Sequence, residues 1–150
     1  SNFGDFGGSG PETKRRISVQ VQQILETCLY APDLAAAETF YSQVLGLEPF
    51  ARLPAGTFFF GVGSVFLLFN PARTAQPEGP LPVPPHGAHG PGHVAFAIAP
   101  AEIPAWRDHL QRHGVEIEAE ITWPAGGQSL YFRDPAGNSV ELATPQTWQL

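Results

Sequence analysis

The chain has 150 residues, of which 43% are hydrophobic and 15% are charged, so it has enough apolar surface for a core and too little charge for a disordered protein. The net charge of −6 disfavours nucleic acid and anionic membranes as main partners. The lone Cys28 excludes an internal disulfide. With no secretory signal and no long apolar stretch, the composition predicts a cytoplasmic protein outside the membrane.

The first half of the chain shows one strand, one helix and three further strands. Residues 1–22 are predicted to be a flexible N-terminal tail, because glycine, serine and charge dominate most of them. Residues 24–30 are predicted to form a strand, because β-branched and aromatic residues partly alternate there. Asp33 is placed to cap a helix that Gly46 ends. The next strands are predicted at residues 47–53, 57–62 and 64–70.

Residues 71–91 are rich in proline and glycine and are predicted to form a linker without a regular element. The earlier order then returns, with a strand at 92–98 and a helix at 101–113 that ends at Gly114. Residues 146–150 are predicted to be a C-terminal tail. Three strands lie between that helix and the tail, at residues 115–123, 128–133 and 139–144.

This repeat of element order at a near-constant offset predicts two βαβββ modules. The domain is expected to span residues 23–145, with one module at 23–70, the linker at 71–91 and a second module at 92–145. The predicted fold class is therefore α+β, with paired βαβββ modules that form a curved eight-stranded mixed sheet around a small-molecule cleft and helices on the outer face.

Three polar residues share a pattern that is typical of a cavity wall. Glu26, His93 and Glu141 each lie on a predicted strand, and the residue two positions later is small. Taken singly, each glutamate fits a solvated strand residue and the histidine fits a structural one. Taken together, an imidazole and two carboxylates are donors that suit a divalent metal ion, provided that the three strands converge.

Three segments of the chain are similar to a known family: LETCLYAPDLAAAETFYSQVLGL at 25–47, GHVAFAI at 92–98 and SLYFRDPAGNSVELA at 129–143. In this order they resemble the vicinal oxygen chelate superfamily, which includes glyoxalases, bleomycin-resistance proteins and dioxygenases. The resemblance implies paired βαβββ modules that form a cup of eight strands. It also implies metal ligands on the first and last strands of each module.

Carried onto this sequence, those ligand positions are Glu26, Leu67, His93 and Glu141. Leu67 cannot bind a metal, so the remaining set resembles the three-ligand pattern of extradiol dioxygenases and fosfomycin-resistance transferases. Those proteins usually have histidine at the first site. Glu26 adds negative charge there, which favours a hard divalent ion over Fe(II) redox chemistry. The expected cofactor is one divalent ion, Mn, Fe, Ni, Co or Zn.

Such an ion would bind a small metabolite through two neighbouring oxygens and act as a Lewis acid. A general base is also needed, and the candidate catalytic residues are Tyr30, Tyr131 and the carboxylate of Glu141. His86 and His89, in the linker, are either solvated residues or an acid or base that reaches over the cleft.

Two functions stay open at this point. The first is a metal-dependent lyase, isomerase, transferase or dioxygenase of the glyoxalase type. The second is a metal-free protein that sequesters a ligand, as bleomycin-resistance proteins do. Relatives are commonly dimers, so the resemblance also implies a homodimer. The cleft then lies either within one chain or between Glu26 of one subunit and His93 and Glu141 of the other.

Overall fold

The computed structural model describes residues 18–150. Most of the predicted N-terminal tail, residues 1–17, lies outside this range. Within it, every helix is too short or too polar to cross a bilayer. The strands are β1 (Glu26–Tyr30), β2 (Pro49–Leu53), β3 (Gly56–Phe59), β4 (Val65–Phe69), β5 (His93–Ala97), β6 (Ala119–Thr122), β7 (Gln128–Arg133) and β8 (Ser139–Ala143). The helices are α1 (Leu34–Gln43), α2 (Pro71–Thr74) and α3 (Ile103–Arg112).

The eight strands form two four-stranded sheets with the same internal order. The first sheet runs β1-β4-β3-β2 and the second β5-β8-β7-β6. In each, the first strand of the module pairs in parallel with the last one, and the other pairs are antiparallel. The predicted α+β class and the two βαβββ modules are therefore confirmed. In the single chain, β1 and β5 each form an open edge of their sheet.

The apolar faces of both sheets and of the two long helices share one core. Tyr41 of α1 lies at its centre, fully buried, with its ring against Phe59 and Phe66 of the first module and Phe96 of the second. Because the helices cover the apolar faces, the opposite faces carry the polar residues of the predicted cleft. Alternation of exposure follows these two sides along β5, whereas the centres of β4 and β8 are buried on both sides, and in the first sheet the cleft side carries Leu67 as well as Glu26.

The structure corrects the prediction that residues 71–91 contain no regular element, because α2 occupies Pro71–Thr74. The side chain of Asn70 accepts a hydrogen bond from the Ala72 amide at 3.0 Å and so caps this single turn. Proline fits the first helical position, where its missing N–H would have had no partner. The proline count therefore misled the prediction at the one place where proline starts a helix.

Other element bounds shift modestly. The predicted helix at 101–113 divides into a 3₁₀ turn, Pro100–Glu102, followed by α3. The predicted strand at 115–123 pairs only over β6. The predicted C-terminal tail overlaps a 3₁₀ turn, Pro145–Trp148, that packs on β7.

The turn between β7 and β8 joins the two modules. Asn138, 1% exposed, donates from Nδ2 to the Tyr30 carbonyl at 3.1 Å and to Asp134 Oδ2 at 2.9 Å. Its Oδ1 accepts from the Gly92 amide at 2.7 Å. Asp134 Oδ2 also accepts from the Tyr41 hydroxyl at 2.8 Å. One amide side chain therefore holds the end of β1, the start of β5 and the turn itself.

Asn138→Ala should lower the free energy of unfolding by about 3 kcal/mol, because it removes three buried or partly buried hydrogen bonds at about 1 kcal/mol each. Tyr41→Phe should cost about half of that, since Asp134 keeps its other donors. Urea unfolding followed by circular dichroism measures both. Asn70→Ala, which removes only the cap of α2, is the matched control at no more than about 1 kcal/mol. Equal losses for Asn138→Ala and Asn70→Ala would contradict the role of Asn138 as a joint.

Candidate functional site

His93 and Glu141 meet on the polar face of the second sheet. They lie on the neighbouring strands β5 and β8, where the register pairs Ala95 with Glu141. The Nε2 atom of His93 is 3.3 Å from Oε1 of Glu141. Ala95 and Ala97 continue this face of β5 and leave it open to solvent. The predicted combination of a polar group with small neighbours therefore forms an accessible surface.

The backbone fixes which nitrogen of His93 faces the glutamate. Nδ1 lies 3.0 Å from the carbonyl oxygen of Ser139. A carbonyl oxygen only accepts hydrogen bonds, so in the neutral imidazole this nitrogen carries the proton. The other nitrogen, Nε2, then directs its lone pair towards Glu141.

Glu141 is only 7% exposed, and one of its two oxygens is already occupied. The hydroxyl of Ser129 donates to Oε2 at 2.6 Å, and the indole Nε1 of Trp123 donates to that hydroxyl at 2.8 Å. The remaining oxygen, Oε1, faces His93. Trp123 and Ser129 were not predicted as site residues, although alternation along β7 places Ser129 on the same face as Tyr131 and Glu141.

Two acceptor atoms therefore face each other at 3.3 Å, the lone pair of His93 Nε2 and that of Glu141 Oε1. This arrangement is favourable only with a positive centre between them, either a shared proton or a metal ion. Ligands of one ion at about 2.0–2.2 Å have a mutual separation of roughly 3 Å, so the pair fits two adjacent positions on a divalent metal. The donor set is one nitrogen and one oxygen, which suits the first-row ions.

Glu26 does not join this pair within the chain. It lies exposed at the start of β1, on the open edge of the other sheet. Across residues 18–150, no three histidine, cysteine, aspartate or glutamate side chains are grouped closely enough to hold a metal ion. The structure thus brings together two of the three predicted ligands.

Leu67 occupies the place in the first module that Glu141 occupies in the second. Glu26 pairs with Val65 in the parallel β1–β4 register, and Leu67 lies two residues further on. In the same way His93 pairs with Ser139, and Glu141 lies two residues beyond it. The first module therefore has a buried leucine where the second has a carboxylate.

Tyr131 lies beside the His93–Glu141 pair, with its ring centre 6.4 Å from that of His93. Burial, followed by the negative charge of Glu141, raises the pKa of the Tyr131 phenol. The phenol therefore stays protonated at neutral pH and is suited to donate a proton, not to remove one.

Tyr30 lies at the far end of β1 and contacts the linker. Its hydroxyl is 2.6 Å from Nδ1 of His86, whose ring packs against Phe69. Burial, followed by the effect of Cys28, raises the pKa of Tyr30 as well. The structure thus places His86 against Tyr30 and Phe69 of the first sheet, and both His86 and His89 are exposed.

All three tyrosines of the chain have a raised pKa, with burial as the largest cause at Tyr30, Tyr41 and Tyr131. An alkaline titration of tyrosinate absorbance should give a native midpoint above the value of about 10 expected in denaturant. The unfolded chain releases these protons first, so the stability they contribute is complete below about pH 10 and falls as the pH rises further. A native midpoint at or below the denatured one would contradict this.

Comparisons with known proteins add to this geometry. Residues 23–142 match the family model of the Glyoxalase/Bleomycin resistance protein/Dioxygenase superfamily. The chain is 30% identical to glutathione transferase FosA of Serratia marcescens over 123 residues. This alignment covers 81% of this chain and 80% of that protein. It is 26% identical over 113 residues to metallothiol transferase FosB of Bacillus licheniformis, covering 75% of this chain and 68% of that protein. The crystal structure of lactoylglutathione lyase from Agrobacterium tumefaciens superposes with a TM-score of 0.81 at 40% identity, covering 87% of this chain and 98% of that one.

Proposed function

The chain belongs to the Glyoxalase/Bleomycin resistance protein/Dioxygenase superfamily, and on that premise we propose that it is a metal-dependent enzyme acting on a small oxygenated metabolite in the cytoplasm. The substrate binds the ion through two neighbouring oxygens. The reaction belongs to the lyase, isomerase, transferase or dioxygenase classes. Similarity to a metallothiol transferase and to a lactoylglutathione lyase supports this range.

The observation that carries the proposal is the meeting of His93 and Glu141. Nδ1 of His93 donates to the Ser139 carbonyl and Oε2 of Glu141 accepts from the Ser129 hydroxyl, so that the other polar atoms of the two side chains converge at 3.3 Å. An ion pair with protonated His93 is compatible with these two hydrogen bonds, whereas a metal site requires them, because the ligand atoms must present lone pairs in defined directions.

We propose that Glu26 of a second copy of the chain supplies the third ligand in a homodimer. Two features support a shared site. Glu26 and His93 lie on the open edge strands β1 and β5, and an unpaired edge favours pairing with another chain. Large apolar side chains also lie exposed on the first module, including Phe50 and Phe60 on β2 and just after β3.

In the enzyme, His93, Glu141 and the second copy's glutamate would hold the ion, which would supply Lewis-acid polarisation of a substrate oxygen. Ser129 keeps Oε2 of Glu141 hydrogen-bonded and its carboxylate in place. Tyr131, protonated and adjacent, is positioned to donate a hydrogen bond to charge that develops on the substrate. Glu141 is the remaining candidate base.

A second candidate function is metal-free sequestration of an aromatic ligand. Phe50 and Phe60 support it, because their rings stack at 3.6 Å with an interplanar angle of 13° while remaining 45% and 57% exposed. Such a pair offers a flat apolar surface for a planar ligand. This candidate predicts ligand binding that a chelator does not affect.

The wild-type protein, purified without added metal and then incubated with Mn, Fe, Ni, Co or Zn, should bind about one divalent ion per chain. His93→Ala and Glu141→Gln should each lose that ion, because each removes a donor of the converging pair. Elemental analysis after desalting measures the content. His89→Ala, which removes an exposed linker imidazole, is the matched control and should keep full occupancy. Wild-type protein that stays metal-free under all five ions would end the enzyme proposal and leave the sequestration candidate.

If the metal site is shared between two subunits, two inactive variants should complement each other in a mixed dimer. Chains carrying Glu26→Ala and His93→Ala, co-expressed with different tags and purified through both, should regain metal, since each mixed dimer has one intact site. Either variant alone should bind little. The control is the pair His93→Ala with Glu141→Ala, in which every site lacks a ligand of the second module. Equal metal content in the two mixed dimers would contradict a shared site.

A further inference from the structure

The Trp123–Ser129–Glu141 chain has a direction that its chemistry fixes. An indole N–H only donates, so the Ser129 oxygen accepts from Trp123. The hydroxyl has a single proton, and in the short 2.6 Å contact it donates that proton as a hydrogen bond to Oε2 of Glu141. The hydroxyl therefore cannot rotate away without leaving a polar group unpaired in a site where Ser129 is only 1% exposed.

The far end of this chain is anchored by the hairpin between β6 and β7. The backbone of Trp123 donates to Gly127 at 2.7 Å and accepts from Gly126 at 2.9 Å, which closes a tight turn. Gly126 has a φ of +105°, which favours glycine. A Cβ atom at Gly127 would overlap the backbone of Thr147, so the C-terminal 3₁₀ turn packs directly against the hairpin. The indole thus projects from a turn that is held from two sides.

We infer that Trp123 and Ser129 are positioning residues that hold Glu141 as a one-oxygen ligand, with Oε2 retained by the protein and Oε1 presented to the ion. The inference rests on the proposed metal function and assigns residues that do not touch the ion. Without the Ser129 hydroxyl, the carboxylate is free to rotate and to use both oxygens. The site then loses a fixed ligand direction and with it part of its affinity.

The test measures Co²⁺ affinity by competition with a chromophoric chelator, together with the visible absorption spectrum of the Co²⁺ protein. Ser129→Ala should weaken Co²⁺ binding by about 10- to 100-fold and change the spectrum, because partners that orient a ligand contribute on that scale. Ser129→Thr, which keeps the hydroxyl on a strand, should restore both. Trp123→Phe should weaken binding by a smaller factor, since Ser129 then remains but loses its fixed orientation.

Two controls separate positioning from general damage. Ser42→Ala on α1 and Trp106→Phe on α3, which packs against the core, make the same chemical changes away from the site and should leave Co²⁺ affinity unchanged. Far-ultraviolet circular dichroism confirms folding of each variant. If Ser129→Ala fails to fold, the Trp123→Phe result decides.

The outcomes also distinguish the inference from the proposed function. A wild-type protein that binds Co²⁺, with Ser129→Ala and Trp123→Phe matching its affinity and spectrum, would overturn the positioning role alone. A wild-type protein that binds no Co²⁺ would overturn both. Weakening by Ser129→Ala that Ser129→Thr does not reverse would show a packing effect and would also count against the inference.

Discussion

The buried amide of Asn138 is the contact on which the arrangement of the whole chain depends. It connects the end of β1, the start of β5 and the turn before β8, three segments far apart in sequence. Because amide donors and acceptors are directional, these bonds fix the relative position of the modules more tightly than apolar contacts alone would. The Asp134–Asn138 turn of the family motif therefore acts in architecture, whereas Glu141, a few residues later, faces the site.

The hydrogen bonds of Asn138 determine where the candidate site lies. They hold the helix-covered faces together around Tyr41, so that the other faces of the two sheets, which carry the predicted ligands, lie on opposite sides. His93 and Glu141 belong to one of those faces and Glu26 to the other. The same packing that gives the chain a single core thus divides its predicted ligands into two incomplete groups.

The sequence was sufficient for the parts of the fold that local chemistry governs. Asp33 caps α1 as predicted, and the β7 bounds match the prediction at both ends. The α2 helix was missed because the short-range signal of Asn70 and Pro71 was outweighed by the proline content of the surrounding linker. Strand ends were predicted too long, as at β6, because pairing partners and not propensity decide where a strand stops.

The candidate site was predictable only in part for the same reason. Alternation along the strands predicted that His93 and Glu141 each lie on the side of the sheet that faces the cleft. Their contact, however, depends on the β5–β8 register. Ser129 and Trp123 belong to no recognisable motif, and their proposed role follows from hydrogen bonds that form only once β7 lies beside β8.

The open edges of β1 and β5 have one further effect. In the proposed pair, a two-fold axis would place β1 of each copy against β5 of the other, so that neither of these edge strands would remain free. Such an assembly closes on itself at two copies, so the exposed strands that could seed a fibre are consumed by dimerisation.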